Sequence, residues 1–129
     1  MNPSNPISLV GAEDPIDLAK QIDQELQAIG LIVQALNSQP ASPDITNLLA
    51  QASATRDHLN LLKTHIAAAT TVFKIDPADD HYLTLKAIGD RLDAAIKKAS
   101  LVSSSIDELN LLLSTVNKGF QIAHTLTAA

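Results

Sequence analysis

Apolar residues recur at alternating spacings of three and four along four stretches of this 129-residue chain, the pattern of helices that bury one face. The first stretch aligns Ala19, Ile22, Leu26, Ile29, Val33 and Leu36. The second aligns Ile45, Leu48, Ala52, Thr55, Leu59, Leu62, Ile66, Ala69 and Phe73 in a heptad-like, coiled-coil-style seam. The third aligns Leu85, Ile88, Leu92, Ala95, Ala99 and Val102, and the fourth Ile106, Leu109, Leu113, Val116, Phe120 and Ala123. No segment alternates with period two, so the pattern predicts an all-α chain.

Three dipeptides punctuate these stretches: Asp14-Pro15, Ser42-Pro43 and Asp76-Pro77. Each offers a capping side chain followed by proline at the first helical position, where its missing N–H costs nothing. They predict helices over about 15–37, 43–75 and 77–102. Residues 1–14 carry Pro3, Pro6 and Gly11 without helical period and read as an extended N-terminal arm, with Ile7, Leu9 and Val10 available to pack on the rest. The third and fourth seams could form one helix over 77–127. Three features argue for a break. Ser103-Ser104-Ser105 is a poor helix former, Ser105-Ile106-Asp107-Glu108 fits a capping box, and Lys97-Lys98 sits where a helix C-terminus favours cations. One helix of about fifty residues would also extend about 75 Å with nothing to cover its far half. The expected fold is an antiparallel four-helix bundle formed by residues 15–129, its last helix over about 106–127. The alternative is three helices, with 77–127 continuous in an oligomer.

Composition narrows the function. The net charge of −5 and only three aromatic residues argue against nucleic acid, because neither a basic footprint nor stacking platforms are present. The absence of cysteine removes thiolate metal sites and cysteine nucleophiles. Four dispersed glycines make no phosphate-cradling loop, and the first basic residue, Lys20, comes too late for a secretory signal. No apolar run reaches the 18 or so residues that span a bilayer. The expectation is an acidic, soluble, cytoplasmic protein without membrane insertion, export by a signal-less route being left open.

Catalytic constellations are not apparent. His58 and His65 lie two helical turns apart, and no glutamate precedes any histidine by three, as a di-iron bundle requires. Ala123-His124-Thr125-Leu126 resembles the start of the histidine phosphotransfer motif, which would imply a phosphorelay role for His124. The Lys and Gly that should follow are replaced by Thr127 and Ala128. The sequence therefore predicts no enzyme, no cofactor and no metal. Leu31-Ile32-Val33 and Leu111-Leu112-Leu113 each spread apolar side chains over more than half of a helix circumference. Either these residues fill the flanks of a wide core, or Leu31, Ile32, Leu111 and Leu112 form a face buried against another chain. The favoured expectation is a non-enzymatic interaction or adaptor protein that works through helix–helix contacts with a protein partner or itself, as a homodimer. A carrier or sensor that binds a small apolar ligand inside the bundle is the alternative.

Overall fold

In the computed structural model, which describes residues 14–69, 72–98 and 101–127, Ser42 is extended and its Oγ accepts from the Ile45 N–H at 3.2 Å. Pro43 follows as the first residue of a helix, as its sequence predicts. The two Asp-Pro pairs do something else. Asp17, not Asp14, caps the first helix, its Oδ1 accepting from the Ala19 N–H at 3.0 Å. Helix α1 spans Leu18–Asn37, α2 Pro43–Ala68, α3 Tyr82–Lys97 and α4 Ile106–Thr127. The first helix thus starts at 18 rather than 15, the second stops at 68 rather than 75, and the third runs over 82–97 rather than 77–102.

The start of α1, the end of α2 and the start of α3 share one cause. Ile16–Asp17 (β1) and Lys74–Ile75 (β2) pair antiparallel, Ile16 opposite Ile75 and Asp17 opposite Lys74. The Leu18 N–H extends the pairing by donating to the Phe73 carbonyl at 3.1 Å. Backbone that helices would otherwise satisfy finds partners across this small ribbon instead. Ile75 and Phe73 still reach the core, but from extended chain rather than from a helical seam. Asp76-Pro77 then opens a turn, with the Asp79 N–H donating to the Asp76 carbonyl at 2.9 Å and the Tyr82 N–H to the Asp79 carbonyl at 3.0 Å.

The break before α4 is real. The Glu108 N–H donates to Ser105 Oγ at 3.2 Å, and Ser105 answers through its own N–H to Glu108 Oε1 at 3.4 Å. This is the capping box that the sequence spells. Val102, placed in the third seam by spacing, is 48% exposed, while Leu101 is buried in its stead. Ala99 and all of the N-terminal arm except Asp14 lie outside the described residues.

Successive helices run in opposite directions, giving a four-helix bundle. Lys63 of α2 meets Asp23 of α1 at 2.7 Å, which sets late α2 beside early α1. The segment from α2 to α3 crosses the bundle end, so α3 lies parallel to α1. Gln21 donates to the Leu85 carbonyl at 3.0 Å, and Gln24 to the Gly89 carbonyl one turn further at 2.9 Å. α1 and α4 each pack against all three other helices, whereas α2 and α3 occupy opposite corners. The cross-section is therefore a rhombus with α1 and α4 on its short diagonal.

The rhombus explains the wide apolar stripes. A helix with three partners needs a broader buried arc than one with two. The two apolar triplets fall on α1 and α4, the short-diagonal pair. Along α2 the buried residues are the predicted Ile45, Leu48, Ala52, Thr55, Leu59, Leu62 and Ile66. Along α1 they form a wider band that also takes in Gln21 and Glu25.

Candidate functional site

The four residues expected to form an association face do not share one surface. Ile32 is 1% exposed and belongs to the core. Leu31 and Leu112 are half-buried and packed against that core. The contacts Gln39–Ser104 and Glu25–Gly119 set the antiparallel register of α1 on α4 and bring Ile32 level with Leu112. The demands of the short diagonal account for all three. Leu111 alone remains on the surface, 56% exposed.

Surface grooves lie on both sides of α4. On one side, α2 and α4 enclose about 270 Å³ between Leu61, Leu62, Phe120 and the imidazoles of His58, His65 and His124. The Phe120 ring lies between two of these, 5.5 Å from His58 in a stacked geometry and 5.6 Å from His124 in a tilted one. These two helices run parallel, which lets side chains from mid-α2 and late α4 meet. Among the described residues no Lys, Arg, Asp or Glu lines this groove. Leu61 stands at its edge with 70% of its surface exposed. His124, singled out by its local motif, is engaged with an aromatic ring near the helix end.

On the other side, α3 and α4 enclose about 440 Å³. Leu83, Ala87 and Ile88 supply apolar surface, and Arg91 and Lys118 supply charge. Arg91 Nη1 reaches across to Thr115 Oγ1 at 3.4 Å, and the Thr115 hydroxyl donates to the Leu111 carbonyl at 2.9 Å. Leu83 is 71% exposed. Neither Arg91 nor Lys118 forms an ion pair among the described residues.

The most perturbed group lies between the grooves, inside the fold. Glu25 is fully buried, and neither of its carboxyl oxygens has a hydrogen-bond partner among the described residues. Burial pushes its pKa from 4.5 up to about 8, so at neutral pH it is chiefly a neutral acid. It fits because α4 presents Gly119 to it; a Cβ there would lie 2.5 Å from Glu25 Oε2. Asp79 moves the opposite way, its carboxyl held below the ordinary value chiefly by the His81 backbone N–H at 2.7 Å. That bond belongs to the turn before α3.

Periodicity did not reveal Glu25 or either groove. Glu25 stands three residues after Ile22 and four before Ile29, a seam position that its charge disguises. Phe120 and His124 are one turn apart and detectable as a pair, but His58 joins them only through the parallel packing of α2 on α4. Among the described residues no three His, Asp or Glu side chains are grouped to hold a metal ion, and no helix is long and apolar enough to cross a membrane. No family model matches the chain, and neither a curated protein nor a solved structure shows significant similarity to it.

Proposed function

We propose that this chain is a non-enzymatic helical-bundle interaction protein that self-associates through helix–helix contact. The observation that carries the reading is Leu61, a large apolar side chain 70% exposed at the edge of the α2–α4 groove. In a twofold dimer the same patch faces itself, so each copy's Leu61 can enter the other's groove between Leu62 and Phe120. A lining without Lys, Arg, Asp or Glu suits that arrangement, because self-pairing then sets no like charges of those types opposite one another. The self-association expected at Leu31 and Leu112 is thereby reassigned to a different face. The non-enzymatic reading is supported by Glu25, whose strongly shifted carboxyl is closed off in the core rather than placed in a cleft.

Light scattering tests this. The 13.7 kDa chain should run at twice that mass, and Leu61→Glu should return it to monomer with its helical circular dichroism intact, since an exposed position tolerates a charge. A wild-type chain that stays monomeric at millimolar concentration would reject the homodimer.

A further inference from the structure

We infer that the α3–α4 groove is a second docking surface, whose occupant is an acidic amphipathic helix of a partner protein. The inference rests on the reading of this chain as a helix–helix interaction protein but uses a different face of α4. Leu83, Ala87 and Arg91 follow one another at intervals of four on α3, a row about 12 Å long at 1.5 Å per residue. Such a row matches about two turns of a helix lying in the groove. Its first part is apolar: Leu83 is 71% exposed, and Ala87 and Ile88 continue the lining. Its far end is cationic.

Charge selects the occupant. The chain carries a net charge of −5, yet among the described residues the only charged ones lining this groove are Arg91 and Lys118, one from each wall. Arg91 is steered across the groove by Thr115, a contact that uses one nitrogen of the guanidinium and leaves further N–H donors for a carboxylate. Lys118 contributes a second cation from α4. A second copy of this chain placed symmetrically here would oppose Arg91 and Lys118 to their own equivalents, so self-pairing is penalised at this face. A partner helix with leucine or alanine against Leu83 and Ala87, and glutamate or aspartate about two turns on, satisfies both halves.

Fluorescence anisotropy with two labelled peptides of equal apolar content tests the inference. One carries glutamate at every polar position and the other lysine; vesicles of phosphatidylglycerol form the third arm. The glutamate peptide should bind, and the lysine peptide at least about tenfold more weakly. Arg91→Gln and Lys118→Gln should each weaken the glutamate peptide about tenfold, the effect of losing one charge-assisted contact, with helicity unchanged. Equal binding of both peptides, or glutamate-peptide binding that survives the double Gln variant, overturns the proposal. So does vesicle binding that requires Arg91 and Lys118 while neither peptide binds, which would assign the groove to an anionic lipid surface. Leu61→Glu serves as the control. It removes the dimer without touching this groove, so loss of self-association and loss of peptide binding report separately on the two readings.

Discussion

Helices α1 and α2 pack against each other along most of their length, yet they are built by different rules. Every buried position of α2 follows the three-four alternation, and the only polar one is Thr55. The buried band of α1 holds Gln21 and Glu25, with Gln24 half-buried beside them. The α2 seam supplies cohesion but little direction, because a regular apolar stripe looks similar after a shift of one heptad. The polar residues of α1 supply direction. Gln21 and Gln24 fix its height on α3 through two backbone carbonyls, and Glu25 has room only where α4 carries Gly119. In this molecule the helix with three neighbours carries the registry, and the helix with two carries uninterrupted apolar burial.

The largest expected effect tests whether Glu25 is as isolated as its surroundings imply. Its carboxyl titrates near 4.5 when unperturbed and at about 8 in the fold, raised by burial. Between those values the folded chain holds a proton that the unfolded chain has released. Stability therefore falls as pH rises from about 4.5 and levels off above about 8, a total loss on the order of 5 kcal/mol. Urea unfolding followed by circular dichroism should give a lower midpoint at about pH 9 than at about pH 5, and Glu25→Gln should remove most of the difference. The Asp79 carboxyl works in the opposite sense, losing its contribution as pH falls through the acid range, outside this window. A wild-type midpoint that does not move would mean that water or a partner reaches Glu25, and the contrast between the two helices would lapse.

The next effect belongs to α2. Leu59 is fully buried at the middle of the seam, so Leu59→Ala should cost about 3 kcal/mol in the same unfolding experiment. The same truncation at half-buried Leu26 of α1 should cost about half as much. Equal costs would show that α1 relies on its apolar stripe as heavily as α2 does.

These two residues also mark what the sequence discloses. Leu59 was legible because α2 has two partners, and two partners select a narrow stripe that periodicity traces faithfully. Spacing places Leu26 in the first seam and passes over Glu25, because a charged residue reads as surface unless its partner is known. That partner, Gly119, lies in another helix. The capping box at Ser105 was legible because all of its atoms come from four consecutive residues. Asp14 and Asp76 do not start helices because Asp-Pro leads into extended chain or a turn as readily as into a helix. What decides between them is β1 pairing with β2, two segments far apart in the chain. Both grooves escaped because each is lined by side chains of two helices, and spacing within one helix does not show which neighbour it meets.

A smaller effect isolates the Glu25–Gly119 pair. Gly119→Ala gains about 1 kcal/mol of helix propensity but drives a methyl to 2.5 Å from Glu25 Oε2, for a net loss of about 1–2 kcal/mol. In a Glu25→Ala background the obstacle is gone, and the same substitution should stabilise the chain by about 1 kcal/mol relative to that background. A change of sign across this double-mutant cycle is the result that ties the glycine to the acid. The same loss in both backgrounds would mean that another neighbour crowds Gly119.

The smallest effect concerns registry rather than cohesion. Gln21→Leu and Gln24→Leu each remove one amide-to-carbonyl hydrogen bond, worth about 1 kcal/mol. Neither strands a buried acceptor, because the Leu85 and Gly89 carbonyls keep their partners within α3. Added apolar contact offsets part of that loss at Gln21, which is buried, so the double variant should lose only about 1–2 kcal/mol. Its structural consequence should exceed its energetic one. Spin labels at Lys20 and Lys86, both exposed, report the height of α1 on α3. Their distance distribution should be narrow in the parent chain and broaden in the double variant, as α1 gains freedom to slide. A distribution that stays narrow would mean that side-chain shape along the apolar band, rather than the two amides, sets the register. In that event α1 and α2 would differ in composition but not in the job they do.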